Sequence, residues 1–393
     1  MKILFMGDAN FSRWGRALTK ADAEYMISDY KPYLEDADFR VVNMEEPLGD
    51  INKYEPISKS GPNLISSAEN ICFYNELNTD IAVLANNHIG DFGEEATKDT
   101  LDLLDSIGMK HIGAGKNIDE AYNAVVLEKD GVTVSVISVC ENEFGIATKN
   151  TYGSAGYNAL RLFKKIQEEK AKSDNVIVVF HGGDEENPIP SPDCTERYRL
   201  IIEFGADAII AGHTHCPQGY EYYNGKPIIY SMGNFIFQSG RGISGALEDL
   251  SRAWFYGYMV MADVTKEGVK IAELIPYRFN NPATKVSVFK GEDKQKMLDY
   301  IEELSEFIQD EELMYKHYIG WMAERLQWRV IRDPREETEQ VRLNAYKNIL
   351  TCEAHHSVVK QGYKLFMEHK MDYALSLKAE ADERAKMPVP WKE

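Results

Sequence analysis

The stretch Ala208-Ile-Ile-Ala-Gly-His-Thr-His215 joins four apolar residues to a glycine and two histidines. A short apolar run bounded by turn residues is typical of a strand that is buried on both faces in an α/β domain. Gly212 allows the chain to turn sharply after the run. His213 and His215 are two residues apart, so in an extended backbone both imidazoles point to the same side. The stretch therefore predicts a buried strand that ends in two candidate metal ligands.

Four other predicted strands also end in side chains that can bind a metal. In open α/β sheets, ligands bind beyond the carboxyl ends of the strands, so one fold can bring all of these ends to a single rim. We therefore expect one site built from five strand ends. The other four strands and their polar residues are 2–6 with Asp8, 39–42 with Glu45, 81–85 with Asn86, Asn87 and His88, and 176–180 with His181.

These side chains offer oxygen and imidazole ligands without a thiolate. That donor set suits a divalent ion such as manganese, iron or zinc, and a carboxylate can bridge two such ions. Taken alone, a histidine at a strand end or an Asn-Asn pair at a turn has an ordinary structural explanation. However, four of the nine histidines lie in motifs that follow apolar strands, and this coincidence favours a metal site. His88 would diverge from Asn87 toward the substrate, where an imidazole suits a general acid.

The composition of the 393-residue chain is that of a folded protein, with 44% hydrophobic and 27% charged residues. Lys and Arg total 44 against 63 Asp and Glu, so the formal net charge is -19. A surface of this sign repels phosphate backbones and anionic lipids, which disfavours nucleic acids and membrane surfaces as partners. The five cysteines form no CxxC pair, and no apolar run has the length of a signal peptide or a membrane span. We therefore expect a cytoplasmic protein with reduced thiols.

The texture of the sequence divides the chain into two parts. Strands alternate with amphipathic stretches up to about residue 280, whereas the apolar residues beyond it recur with helical spacing. We therefore predict an α/β domain over residues 1–290 and a helical C-terminal extension over 291–393. The spacing also predicts continuous helices over 16–34 and 337–371. We expect the extension to be appended to the core and to be available for contacts with an oligomeric or other partner.

Six polar motifs follow one another along the first 240 residues. They are Gly7-Asp8 with Arg13, Asn43-Met-Glu45-Glu-Pro47, Leu84-Ala-Asn86-Asn87-His88-Ile-Gly-Asp91, His181-Gly-Gly183-Asp-Glu185, Gly212-His213-Thr-His215 and Ser231-Met-Gly233-Asn234-Phe235. Together they resemble the CapA family of capsule-synthesis proteins, first linked to poly-γ-glutamate, within the calcineurin-like metallophosphoesterase superfamily. The helical extension lies outside the resemblance.

The resemblance implies an α/β fold of four layers, α/β/β/α, with a metal centre at the rim of the sheet sandwich. It implies one or two divalent ions, manganese, iron or zinc, with Glu45 as the bridging ligand. It also implies that His88 donates a proton and that other polar side chains surround the centre. By position, the implied ligands are Asp8 and His215 for one ion and Asn87, His181 and His213 for the other, and the surrounding residues are Lys59, Arg13, Asp91 and Glu185.

Two residues depart from the superfamily pattern. Asn10 stands where an Asp-x-His motif is usual, and Glu45 replaces a bridging Asp. An amide is a weaker ligand than an imidazole, so an ion held by Asp8, Glu45 and His215 should dissociate more easily than the other ion. If residue 10 faces the metal, Asn10→His should raise the metal content.

The resemblance implies a metal-dependent hydrolase of phosphoesterase type that acts in the synthesis of capsule, poly-γ-glutamate or cell-surface polysaccharide. The substrate would be a small or polymeric anion, cleaved at a phosphoester or at a γ-glutamyl amide, since a metal-activated water attacks either centre. Lys59 and Arg13 are the candidates for the positive charge that an anion needs. The alternative is a non-catalytic accessory protein that keeps a degraded site to hold a metal or a polymer, with residues 293–393 as its docking surface.

Overall fold

Two β-sheets dominate the fold of the chain. The computed structural model describes residues 1–12, 17–238, 253–280, 283–325 and 339–390. The larger sheet has eight strands and the smaller sheet has six. Helices cover the outer faces of both sheets, and further helices follow the last strand.

The eight-stranded sheet contains three of the five strands that were predicted to end in ligands. Its strands are β1 (Lys2–Asn10), β2 (Phe39–Met44), β3 (Ile81–Val83), β4 (Lys110–Ile112), β13 (Asn234–Phe237), β14 (Tyr256–Thr265), β15 (Gly268–Phe279) and β16 (Val286–Val288). They lie in the order β16-β15-β14-β1-β2-β3-β4, and β13 pairs with the end of β1. Because β1, β2 and β3 are parallel, their carboxyl ends lie at the same edge of the sheet.

The six-stranded sheet contains the other two strands that were predicted to end in ligands. Its strands are β6 (Val125–Lys129), β7 (Val132–Cys140), β9 (Asn175–His181), β10 (Ala208–Gly212), β11 (Tyr220–Tyr223) and β12 (Lys226–Ile229), and a separate pair consists of β5 (Ala114–Gly115) and β8 (Gly153–Ser154). The six strands of the sheet lie in the order β11-β12-β10-β9-β7-β6. β7, β9, β10 and β12 are parallel to their neighbours within this group. Every residue of β9 and β10 is buried, as expected for apolar strands with both faces covered.

Helices fill the connections between the strands and form the C-terminal extension. Those of the α/β part are α1 (Lys20–Met26), α2 (Lys31–Asp36), α3 (Ile71–Glu76), α4 (Gly93–Ser106), α5 (Ile118–Ala121), α6 (Ala159–Lys170) and α7 (Pro192–Glu203). Those of the extension are α8 (Gly291–Gln309), α9 (Glu311–Arg325), α10 (Gln340–Thr351), α11 (Glu353–Met367), α12 (Met371–Ser376) and α13 (Lys378–Arg384). Among the described residues, no helix has both the length and the apolar character that crossing a membrane requires.

Three buried clusters define the layers. Phe5 of β1 and Ile177 of β9 belong to one cluster, which fills the space between the two sheets. Phe73 of α3 belongs to a second cluster on the outer face of the larger sheet, and Ile166 of α6 to a third on the outer face of the smaller sheet. The order of the layers is therefore α/β/β/α, which confirms the predicted four-layer fold with C-terminal helices.

The C-terminal extension packs against the α/β part. Ile301 of α8 belongs to the cluster between the sheets, and Ile308 to the cluster on the outer face of the smaller sheet. The Tyr256 hydroxyl donates a 2.8 Å hydrogen bond to the carbonyl of Val389. The extension therefore covers apolar surface of the α/β part, and the division at residue 290 stays a prediction.

Two predicted helices are interrupted. The stretch predicted as a helix over residues 16–34 contains α1 and α2, which are separate, and Pro32 lies in the first turn of α2, where its missing N–H costs nothing. The stretch predicted over residues 337–371 begins outside the described residues and breaks at Cys352, whose φ of -77° and ψ of 127° are extended. Both continuous helices were wrong, because periodic spacing alone does not locate a break in the backbone.

Candidate metal centre

Strand ends from the two sheets meet at one rim. Asp8 in β1 pairs with Asn43 in β2, and Gly212 at the end of β10 pairs with His181 at the end of β9. The amide Nδ2 of Asn43 connects the two sheets. It donates a 2.7 Å hydrogen bond to Asp8 Oδ1 and lies 3.1 Å from His181 Nδ1. The backbone N–H of His213 donates 2.9 Å to Asp8 Oδ2. The structure thus brings together side chains that the strand-end pattern selected.

Two groups of candidate ligand atoms share Glu45. One group consists of Glu45, His181 and His213, and its ligand atoms lie within 4.8 Å of one another. The other group consists of Asp8, Glu45 and His215, whose ligand atoms also lie within 4.8 Å of one another. Glu45 Oε1 lies 3.6 Å from His181 Nε2 and 3.9 Å from His215 Nε2. A carboxylate in this position can bridge two ions.

The Glu45 side chain tests whether a cation fits between these groups. It is 0% exposed, and neither carboxylate oxygen has a hydrogen-bond partner among the described residues. Burial and the charge of Asp8 raise the pKa of Glu45 well above its usual range. A buried carboxylate without compensation is costly, so it needs a cation or a donor beside it. Carboxylate and imidazole donors fit manganese, iron or zinc, and the residues present therefore fit the expected metal.

His181 is held as a neutral imidazole. Its Nε2 lies 3.2 Å from Asn87 Oδ1 and 3.1 Å from His213 Nδ1, so the Asn87 amide belongs to the same group. Burial, together with the charge of His213, lowers the pKa of His181 well below its usual range. Metals bind the neutral ring, and contacts such as that of Asn43 with Nδ1 fix its orientation.

His213 and His215 lie in a left-handed loop. Their φ angles are 92° and 56°, in a region that residues other than glycine rarely adopt. The Nδ1 atom of His215 is 2.8 Å from Asn234 Oδ1, and its ring packs against Trp254 with 4.4 Å between centroids. The expectation of an extended backbone was therefore wrong. Both rings nevertheless reach the centre, with 6.1 Å between their centroids, and each belongs to a different ligand group that includes Glu45.

His88 lies beside the centre with a carboxylate behind it. Its Nδ1 is 2.6 Å from Asp91 Oδ2, and its Nε2 is 4.0 Å from Glu45 Oε1. Lys59 is buried, forms an ion pair with Asp91, and has its Nζ 3.2 Å from His88 Nδ1. Asp91 thus orients the imidazole and leaves Nε2 facing the ligand groups. Lys59 is therefore engaged by this pair, and its role toward an anion stays a prediction.

Two other predicted residues remain, Glu185 and Arg13. Glu185 is exposed, and although desolvation opposes the shift, the charges of His215 and His213 lower the pKa of its carboxyl. Glu185 therefore lies within electrostatic reach of both ligand groups. Arg13 lies outside the described residues.

Asn10 does not face either ligand group. Its Nδ2 donates 3.0 Å to Glu46 Oε2 and 3.2 Å to the carbonyl of Glu45, and its Oδ1 accepts from the Ser12 N–H and hydroxyl. Both polar atoms are used within the loop, and the bond from Nδ2 to the Glu45 carbonyl positions the backbone there. We therefore expect Asn10→His to leave the metal content unchanged.

Three side chains without a predicted role hold candidate ligands in place. Asn43 contacts Asp8, and Asn234 contacts His215. Both asparagines stand in the polar motifs at strand ends, so the sequence contained a signal for them. The third is Glu143, whose Oε2 accepts a 2.6 Å hydrogen bond from the amide of Asn87 and for which no sequence pattern pointed to the site.

Comparison with known proteins now assigns a family. Residues 2–239 match the family described as bacterial capsule synthesis protein PGA_cap. The chain belongs to this family. Every candidate ligand lies within the matched stretch, whereas the helical extension of this PGA_cap protein lies outside it.

Two relatives of this PGA_cap protein carry capsule-related names. The capsule biosynthesis protein CapA of Bacillus anthracis is 30% identical over 249 residues, which are 61% of this chain and 60% of the relative. The PGA biosynthesis protein CapA of Bacillus subtilis (strain 168) is 29% identical over 240 residues, 60% of this chain and 63% of the relative. The chain therefore spans about 60% of the length of these relatives.

A likeness to a solved structure is weaker. A novel phosphatase from Mycoplasma pneumoniae is similar with a TM-score of 0.42 and 17% identity, over 70% of this chain and 92% of that chain. A likeness this low carries no weight for the site.

Proposed function

We propose that this PGA_cap protein is a metal-dependent hydrolase of phosphoesterase type that acts in the synthesis of capsule, poly-γ-glutamate or cell-surface polysaccharide. The proposal is carried by Glu45, a buried carboxylate between two groups of ligand atoms that has no hydrogen-bond partner among the described residues. The printed names of the two CapA relatives, a capsule and a PGA biosynthesis protein, support the biological setting.

The ligand groups would hold two divalent ions that share Glu45. Asp8 and His215 would complete the first group, and Asn87, His181 and His213 the second. When bound, the ions supply an activated water and positive charge for the oxygens of the bond that breaks. The chain itself keeps its donors ready, because the lowered pKa of His181 makes the ring neutral and because Asn43 and Asn234 orient their neighbours.

His88 would donate the proton that the leaving group needs. Asp91 accepts a hydrogen bond from Nδ1, which leaves Nε2 as the ring atom that exchanges a proton in the site. The buried Lys59 forms an ion pair with the other carboxylate oxygen of Asp91, Oδ1. In its protonated form, a ring held in this way can donate from Nε2 to a leaving alkoxide or amine.

The substrate in this proposal is an anion with a phosphoester or a γ-glutamyl amide bond. Attraction for such an anion would come from the bound ions, with Lys59 and Arg13 as the candidate side chains for further positive charge. Both bond types expose an electrophilic centre that an activated water can attack, and the choice between them is left to the experiment.

Metal content and turnover test the proposal together. The protein is purified without chelator, analysed for metals, and assayed with an aryl phosphate, a phosphodiester and γ-glutamyl peptides after addition of manganese, iron or zinc. We expect bound metal and metal-dependent turnover of one substrate class. His213→Ala should remove most of the metal and the turnover while the chain stays folded.

His111→Ala is the matched control. The imidazole of His111 lies in β4 and pairs with Asp105 at 3.1 Å, and it belongs to neither ligand group. This variant should keep both metal and turnover. Equal metal loss in the two variants would contradict the assignment of His213. Full metal content without turnover of any substrate would favour the accessory role instead.

A further inference from the structure

The C-terminal extension reaches the rim of the candidate metal centre. The amide of Asn348 in α10 donates 3.0 Å to Glu143 Oε1, on the loop after β7. Glu143 in turn accepts from Asn87 through its other oxygen, at 2.6 Å. Glu353 accepts hydrogen bonds from the backbone and the side chain of Asn142. The extension is therefore connected through Glu143 to Asn87, on one side of the candidate metal centre.

A cluster of three metal-binding side chain types lies at this contact. Glu143, Cys352 and His355 each offer one ligand atom, and these atoms lie within 4.8 Å of one another. Glu143 Oε1 is 3.8 Å from His355 Nδ1. Carboxylate, thiol and imidazole are the donors that zinc uses in proteins. This donor set differs from that of the first centre, which contains no thiol.

The local charge favours a cation. Three carboxylates, those of Glu141, Glu143 and Glu353, surround the thiol of Cys352, and Arg197 forms a close ion pair with Glu141. Buried carboxylates in excess of their cations are costly, and a divalent ion would remove that excess.

The amide of Asn348 gives a second, independent indication. The residue is 3% exposed, and its Oδ1 has no hydrogen-bond partner among the described residues. Its Nδ2 lies 3.0 Å from both Glu143 Oε1 and His355 Nδ1, so the amide group lies at the cluster. Because the two ends of an amide have nearly the same shape, rotation of the group by half a turn presents the oxygen to the same point.

The backbone at Cys352 also departs from its surroundings. Cys352 is extended, although residues 351–353 contain neither proline nor glycine, and this break separates α10 from α11. The break places Cys352 one residue before α11 and His355 in its first turn. A cavity of about 510 Å³ is lined in part by Glu143 and Asn348, so it reaches one carboxylate of the cluster.

We propose that Glu143, Cys352 and His355 bind a further divalent ion, zinc by preference, at the contact between the C-terminal extension and the α/β part. Binding forms bonds from the ion to the three donors and releases the thiol proton of Cys352 to solvent. Since Glu143 also holds the amide of Asn87, the ion would fix the extension against the first centre. The proposal concerns metal binding alone and does not depend on the hydrolase activity.

Cobalt provides the test, because a bound thiolate gives Co²⁺ an intense near-ultraviolet charge-transfer band that oxygen and imidazole ligands do not give. The full-length protein is freed of metal, reduced, and titrated with Co²⁺ alone. We expect the thiolate band in the parent protein and its displacement by Zn²⁺. Cys352→Ser should abolish the band and lower the bound cobalt by one equivalent.

Two variants serve as controls. Cys72→Ser removes a half-buried thiol whose sulfur contacts the carbonyl of Leu18, and it should leave the band unchanged. His213→Ala alters the first centre. The thiolate band should persist in this variant protein even if the proposed hydrolase assignment fails. If Cys352→Ser does not fold, His355→Gln keeps the thiol and should still lose the equivalent of cobalt and most of the band.

Two results would overturn the proposal. A parent protein without the thiolate band, or a band that survives in full in folded Cys352→Ser or in folded His355→Gln, would mean that the cluster is a hydrogen-bond network only.

Discussion

Replacing Glu45 by glutamine should raise the stability of the metal-free protein and lower its stability, relative to the parent, when metal is bound. The carboxylate of Glu45 is fully buried beside Asp8, and no hydrogen-bond donor among the described residues reaches it. Leaving a buried polar group unsatisfied costs about 1–3 kcal/mol, and more when the group is charged. Glutamine has nearly the same shape, lacks the charge and adds a donor. In the presence of chelator, Glu45→Gln should therefore raise the free energy of unfolding by about 1–3 kcal/mol.

Metal should invert this order. A free ion at about 100 times its Kd adds about 2.7 kcal/mol to the stability of the protein that binds it. The variant lacks the shared carboxylate of both ligand groups, so it should gain much less. Chemical denaturation at neutral to mildly alkaline pH, with chelator and then with manganese or zinc, measures both differences. The reasoning is refuted if the variant is less stable than the parent in chelator and if both proteins gain equally from metal, because Glu45 would then be an ordinary structural residue.

Three further predictions concern the proton donor, the extension and the loop at Asn10. Asp91→Asn should lower kcat on the hydrolysed substrate by about 100-fold or more at unchanged metal content, because His88 loses the anion that orients it; lost metal would point to a structural role instead. Ile301→Ala should lower the free energy of unfolding by about 2–5 kcal/mol, whereas Leu350→Ala, at a side chain that is 61% exposed, should change it by less than about 0.5 kcal/mol in the same denaturation experiment. A loss of stability at Leu350→Ala as large as at Ile301→Ala would contradict the packing of the extension against the α/β part through Ile301. Asn10→His should leave the metal content unchanged and cost about 1–3 kcal/mol of stability through the lost contact with Glu46, and a rise in metal stoichiometry would show that residue 10 does reach the metal.

The sequence by itself was sufficient to locate the candidate ligands. Strands that are buried on both faces are apolar along their whole length, so their ends are visible as the first polar residues after each run. Parallel strands direct these ends to one edge of a sheet, which is why Asp8 and Glu45, on neighbouring strands, could be assigned to one site before any distance was known. The four-layer order also followed, through the resemblance carried by the same motifs.

Only the tertiary structure decided how these residues are arranged. The left-handed backbone at His213 and His215 and the hydrogen bond of Asn10 to Glu46 could not be predicted from the spacing of the residues. Glu143 meets Asn348 across 205 residues of sequence, and no local pattern predicts that contact. Periodicity reports which face of an element is buried, because residues at the period of the element project to the same face. The direction of a loop and the meeting of distant segments depend instead on packing between elements, which a local pattern does not contain.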